Sequence, residues 1–166
     1  MNDSPDGTAI RIVPFRPRDA EAFYRLNRAW LDEHGLYEPA DEKQLADPEG
    51  EIIAPGGAIF VALSGDEVVG TAAVVRHAPG EVEIAKITVS EAARGRGLGR
   101  RLTEHCLAHA RTMGARRAVL VSSSRLRAAL RLYESLGFHH VPAPDTPVYA
   151  TADVYMEREL DGGEEA

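Results

Sequence analysis

The sequence predicts one α/β domain in which a mixed sheet is covered by helices. Two observations carry this: stretches with a two-residue apolar period alternate along the chain with stretches of helical period, and no linker or repeat divides them. A third is size, since 166 residues with 44% hydrophobic side chains suffice for a single core.

The elements follow in order. Ala9 to Val13 alternates as a short strand, and Arg18 to Leu31 places Ala22, Phe23, Leu26 and Trp30 at helical spacing after a Pro-Arg-Asp start. A shorter helix is expected at Asp41 to Ala46, ahead of Pro48. Gly57 to Leu63 and Glu67 to Arg76 read as two strands joined by Ser64-Gly65-Asp66, a hairpin signal. Then come a strand from Glu81 to Val89, a helix from Leu98 to Met113, a strand from Arg117 to Val121 and a helix from Arg125 to Leu136. Strands near Phe138 to Val141 and Ala152 to Glu159 complete the order. Residues 1–8 and the acidic residues 161–166 lack apolar periodicity and are expected to be disordered tails flanking a domain of residues 9–160.

Composition excludes several classes. The net charge is -7, which disfavours nucleic acid as a partner. No stretch is apolar enough to span a membrane and the first residues lack signal-peptide character, so a cytoplasmic protein is expected. Cys106 is the single cysteine, so no intrachain disulfide forms, and its place on an inner helical face suits a buried structural thiol.

Between the Glu81 strand and the Leu98 helix lies Arg94-Gly-Arg-Gly-Leu-Gly-Arg100. Gly95, Gly97 and Gly99 let a backbone approach a ligand closely, the helix start aims unpaired N–H groups at the same place, and Arg94, Arg96, Arg100 and Arg101 add positive charge. A solvated basic turn is the plainer alternative. Neither established phosphate loop fits: the two lysines, Lys43 and Lys86, are remote from this run, and Arg100 stands where a dinucleotide fingerprint needs its third glycine.

The Glu81 strand changes phase. Val82 and Ile84 share one face, but beyond Lys86 the apolar positions are Ile87 and Val89. A bulge near Ala85 and Lys86 explains the shift and would open a slot beside the strand; burial on both faces would also blur the pattern.

Arg94-Gly-Arg-Gly-Leu-Gly99 resembles the pyrophosphate loop of the GCN5-related N-acetyltransferases, and Leu130-Arg-Leu-Tyr133-Glu-Ser-Leu-Gly137-Phe138 resembles their second signature, in the same order and spacing. The likeness spans nearly the whole chain. It implies a mostly antiparallel sheet whose fourth and fifth strands splay apart, acetyl-CoA as cosubstrate, a primary amine of a small molecule or peptide as acceptor, and direct transfer in a ternary complex with no metal. Cofactor contacts then fall to Ile87, Val89, Arg94, Gly95, Arg96, Gly97, Leu98, Gly99 and Arg100. Dimers are common in the family, which leaves a homodimer open. A noncatalytic acyl-CoA-binding or sensing domain is the alternative; it keeps the cradle and needs no catalytic side chain.

An alkyl ammonium must lose a proton before it attacks, and the mismatch between a pKa of about 10.4 and neutral pH amounts to roughly 4 kcal/mol. Glu83 has the spacing of the strand base in the histone acetyltransferase branch; Glu81 and a water chain are the other candidates. By resemblance Tyr133 protonates the departing thiolate, although Leu130, Tyr133 and Leu136 could equally be packing. Leu126 replaces a common family asparagine, with Ser122, Ser123 and Ser124 nearby as substitutes. Acceptor contacts are assigned to Trp30, Glu33, Tyr37 and Glu38 and, from the end of the chain, Tyr149 and Asp153, because acidic and aromatic groups suit a cationic amine. His105 and His109 stand four apart without a third metal ligand, and His77 belongs to no evident constellation.

Overall fold

A computed structural model describes residues 9–147 and 149–160. The expected tails, residues 1–8 and 161–166, lie outside the described residues.

Among the described residues seven strands form one sheet: β1 (Ile10–Pro14), β2 (Ala58–Ser64), β3 (Glu67–Arg76), β4 (Glu81–Val89), β5 (Arg117–Ser122), β6 (His139–Val141) and β7 (Val154–Glu159), in the spatial order β1-β2-β3-β4-β5-β7-β6. Every pairing is antiparallel except β4 with β5. That parallel step requires a crossover, supplied by α3 (Leu98–Thr112). The remaining helices are α1 (Ala20–Glu33), α2 (Pro39–Ala46) and α4 (Arg127–Ser135). The mixed sheet covered by helices is thus as the sequence predicts.

The sheet is buried on both faces in its middle, where all eight inner residues of β3 are shielded from water. Alternate residues Phe60, Ala62, Ala72, Val74, Val82 and Ile84 pack against Leu102, Cys106 and Leu107 of α3, with Leu130 and Tyr133 of α4 at the margin. The opposite residues Ile59, Ala73 and Val75 pack against Phe23 of α1 and Leu45 of α2. This period-two division assigns α1 and α2 to one side and α3 and α4 to the other.

Departures from expectation are local. The second helix starts at Pro39, two residues early, because Asp41 accepts the backbone N–H of Glu38 at 2.9 Å and caps it. Helix α4 starts at Arg127 rather than Arg125, since Leu126 N–H closes a turn on Ser123 O at 3.0 Å. A π-helical turn at Glu49–Ile53 has no periodicity to announce it. Among the described residues no helix is long and apolar enough to cross a membrane. Cys106 is fully buried, and desolvation pushes its thiol up to about 12, so it is a packing residue.

Candidate active site

The bulge expected in β4 is present. Thr71 pairs with Thr88 and Ala73 with Ala85, so two steps along β3 correspond to three along β4, and Lys86–Ile87 carries the extra residue. Lys86 has φ 55°, the one positive value at a non-glycine position among the described residues. Such a conformation costs roughly 1–2 kcal/mol and must be held by its surroundings. The holding group is a buried network. Thr71 Oγ1 donates to Lys86 O at 2.8 Å, Asn27 Nδ2 donates to Thr71 Oγ1 at 3.1 Å, and Thr88 Oγ1 donates to Asn27 Oδ1 at 2.7 Å. Helix α1 therefore grips the bulge from one side through three side chains that are at most 3% exposed.

Past the bulge the sheet opens. β4 and β5 pair only from Glu81–Arg117 to Glu83–Val119, and beyond that the backbone of β4 has no ladder partner on the β5 side. A cavity of about 430 Å3 occupies the gap. Its walls include Glu83 to Val89 from β4, Leu120 to Ser123 from β5, Leu126 and Tyr133 near or on α4, and Trp30 of α1. Arg94 and Gly99 line it toward the N-terminus of α3.

That N-terminus is built as a cradle. Gly95 and Gly97 adopt φ 83° and 75°, and a Cβ at either would meet nothing within 4 Å, so the backbone there faces open space. Gly97 is the N-cap, among the described residues no side chain caps the helix, and its first turn has no acidic residue. The N–H groups of that turn can therefore meet an external anion. Leu98 is 2% exposed in the core, so only its backbone can take part. Arg94 donates to Val89 O at 3.1 Å and lies 3.6 Å from Glu33. Arg100 donates to Ser135 Oγ at 2.6 Å, tying the cradle to α4. Arg101 instead reaches Ile10 O at 3.1 Å, so its charge belongs to the β1 side rather than the loop.

Tyr133 is half-buried on the cavity wall, 6.2 Å in ring-centroid separation from Phe138. Desolvation pushes its phenol up to about 12, so the hydroxyl keeps its proton at neutral pH. Among the described residues it has no hydrogen-bond partner. Glu83 lines the cavity and bonds His77 Nε2 at 2.8 Å. This gives His77 the partner that sequence reading did not find, and the hydrogen bond to Glu83 raises its imidazole above the usual range against a smaller opposing effect of burial. Glu81 lies outside the cavity lining, 3.5 Å from Arg117.

The residues assigned to the acceptor divide. Trp30 and Tyr149 line the cavity. Glu38 fixes the approach of the final segment by accepting from Ala150 N at 2.9 Å and Thr151 N at 2.8 Å. Burial pushes the Glu38 carboxyl up, but its bonds from Thr151 and Ala150 together hold it below its ordinary value. Tyr37 bonds Glu42 and lies under the Arg28 guanidinium at 3.7 Å, outside the lining. Asp153 accepts from Ser124 N at 2.8 Å and Ser124 Oγ at 2.6 Å, which holds the turn before α4. His105 and His109 set their rings edge-on to Phe60, at 4.4 and 5.3 Å, as packing residues. Among the described residues no three His, Cys, Asp or Glu side chains converge as a metal set.

Three cavity groups escaped sequence reading. Asp41 and Lys86 form an ion pair at 2.6 Å with side chains 5% and 7% exposed, and Asn27 organises the bulge. Lys86 left two traces: it stands at the phase change of its strand, and it is one of two lysines in a chain with 19 lysines and arginines together.

The model of the acetyltransferase (GNAT) family matches residues 20–138, the span from α1 to the end of the Tyr133 motif. The chain belongs to this family. A mycothiol acetyltransferase of Thermobispora bispora is 37% identical over 143 residues, covering 81% of this chain and 47% of the relative. The chain thus spans about half the length of that relative and of the mycothiol acetyltransferases of Nocardioides sp. and Thermomonospora curvata. The N-acetyltransferase YjgM of Escherichia coli, itself uncharacterised, is 31% identical over 96% of this chain and 99% of its own. Among solved structures, a GNAT acetyltransferase of Staphylococcus aureus superposes with a TM-score of 0.83 at 18% identity, over 92% of this chain and 99% of the other. YncA of Salmonella typhimurium, determined with its cofactor acetyl-CoA, has a TM-score of 0.72 at 25% identity, covering 93% and 95% of the two chains.

Proposed function

We propose that this GNAT protein transfers an acetyl group from acetyl-CoA to a primary amine by direct attack within a ternary complex. The observation that carries the reading is the parting of β4 from β5 after Glu83, with an uncapped helix N-terminus near one end of the resulting cavity and Glu83 and Tyr133 on its walls. The neighbour determined with acetyl-CoA supports the same cosubstrate.

The chain's own groups fit the cosubstrate. The N–H groups of Gly97, Leu98, Gly99 and Arg100, with Arg94 and Arg96, would hold the pyrophosphate, because they present donors and positive charge where Gly95 and Gly97 leave room. The unladdered backbone of Ile87 and Val89 would bond the pantetheine amides and aim the thioester into the gap. Acetyl-CoA supplies the activated acyl group. Glu83 takes the ammonium proton on the side facing α1 and α2, and His77, 43% exposed, links that carboxylate to solvent. Tyr133, kept protonated by its dry surroundings, donates to the sulfur as the C–S bond breaks.

The test is calorimetric titration with acetyl-CoA and coenzyme A, followed by thiol release against a panel of primary amines. Binding with amine-dependent release is expected. Binding without release for any amine would turn the assignment to an acyl-CoA sensor, and no binding would overturn the cradle.

A further inference from the structure

Lys86 and Asp41 form a buried ion pair in the wall of the cavity. Pairs of this kind repay their desolvation poorly, so stability alone gives little reason for one here. The strained backbone at Lys86 makes the placement more costly still, and the Thr71–Asn27–Thr88 network exists to enforce it. An ammonium has three N–H donors. Asp41 Oδ1 takes one, the Tyr149 ring lies 5.8 Å from the nitrogen, and among the described residues the other two donors have no acceptor. Asp41 cannot turn to take them, because its Oδ2 is engaged by the Glu38 N–H.

We propose that Lys86 binds the carboxylate of the acceptor, so that the amine acetylated by this protein is an amino acid or a compound that carries an amino-acid-like carboxylate. The proposal rests on the transferase reading for its amine but not for its carboxylate. Charge selects the class. Lys86, Asp41 and Glu83 share the cavity with Tyr149, and the Tyr149 phenol is pushed up first by desolvation and then by the charges of Asp41, Glu83 and Glu38. Arg94 also lines the cavity but bonds Val89 O and lies 3.6 Å from Glu33 toward the N-terminus of α3, so beside Tyr149 the cation is Lys86; a cation next to carboxylates suits a zwitterion whose carboxylate meets Lys86 while its ammonium meets Glu83. A dianionic phosphate would be repelled by Asp41 and Glu83, and a polyamine would place a second cation against Lys86. Asp41 neutralises Lys86 in the free protein and holds its nitrogen in place, which makes Asp41 a positioning residue.

Carboxylate recognition is read without turnover by titrating N-acetyl amino acids, with their uncharged amides as controls, into the full chain with and without coenzyme A. The carboxylates are expected to bind about 10- to 100-fold more tightly than the amides, the range given by a charge-assisted hydrogen bond of about 1.5–3 kcal/mol. Lys86→Met strands the Asp41 charge and risks misfolding. The informative variant is therefore Lys86→Met with Asp41→Asn, in which the asparagine oxygen can still cap α2. It should lose the preference. Equal binding of acid and amide by the natural protein, or a preference that survives in the double variant, would overturn the proposal. Thiol release then compares amino acids with their decarboxylated amines. Release that ignores the carboxylate would sink this proposal and leave the transferase intact; an intact carboxylate preference without release from any amine would remove the transferase and uphold the carboxylate site.

Discussion

Asn27→Leu tests whether α1 holds the bulge through its side-chain network. The asparagine is 2% exposed and accepts from Thr88 Oγ1 at 2.7 Å while donating to Thr71 Oγ1 at 3.1 Å and Phe23 O at 2.9 Å. Leucine matches its volume approximately and gains a few tenths of a kcal/mol in helix propensity. Thr71 keeps its bond to Lys86 O, so the main loss is the acceptor of the buried Thr88 hydroxyl. An orphaned buried donor costs about 1–3 kcal/mol, which outweighs the propensity gain. In a domain of this size that corresponds to a fall in Tm of roughly 2–10 °C. Urea unfolding of Asn27→Leu, Thr88→Val and the double variant separates the orphan from a mere cavity. Removing both partners should restore part of the loss, because the stranded hydroxyl is gone. Additive losses, or an unchanged Asn27→Leu midpoint, would refute the clamp.

Tyr133→Phe should lower turnover by about 10²- to 10⁴-fold, the usual worth of a general acid, with coenzyme A affinity unchanged by calorimetry; full thiol release would place the acid elsewhere. Gly97→Ala puts a Cβ on a left-handed residue at about 1–2 kcal/mol, so coenzyme A affinity should fall about 5- to 30-fold, and an undiminished affinity would remove the helix N-terminus from cofactor binding. His77, raised by its bond to Glu83 above its ordinary 6.5, contributes stability that is full below that pH and is lost as pH rises through the raised value. Urea midpoints measured from pH 5.5 to 8.5 should therefore show a decline that His77→Gln abolishes, and the same slope in both proteins would detach His77 from Glu83.

The architecture was legible because α1 and α3 show a helical period and β2 and β3 stand out as apolar runs on either side of the Ser64-Gly65-Asp66 turn. The phase change between Ile84 and Ile87 marked the bulge to within one residue. Element ends were less legible, since the start of α2 depends on which backbone N–H the Asp41 carboxylate meets. Within the cavity, Glu83, Tyr133 and Trp30 could be nominated from motif or composition. The Asp41–Lys86 pair could not: its members are 45 positions apart on elements that meet only after folding, and each looks like a surface charge in the sequence. Asn27 was hidden for the same reason, since a polar residue on the inner face of α1 makes sense only beside Thr71 and Thr88.

One inserted residue in β4 joins these features. By shifting the strand's phase it turns Ile87 and Val89 toward the core that contains α3 and α4, while Thr88 turns toward Asn27 on α1. At the same point the strand stops pairing with β5, which leaves its backbone groups on that side outside the ladder. The left-handed turn at Lys86 sends its side chain across to Asp41, at the opposite side of the sheet from α3. A regular strand could satisfy at most one of these demands, because pleating fixes the side of every residue once one is set. In the proposed function and the proposed carboxylate site, substrate choice and cofactor placement are therefore mechanically linked through the bulge, and a change that straightens β4 should disturb both together.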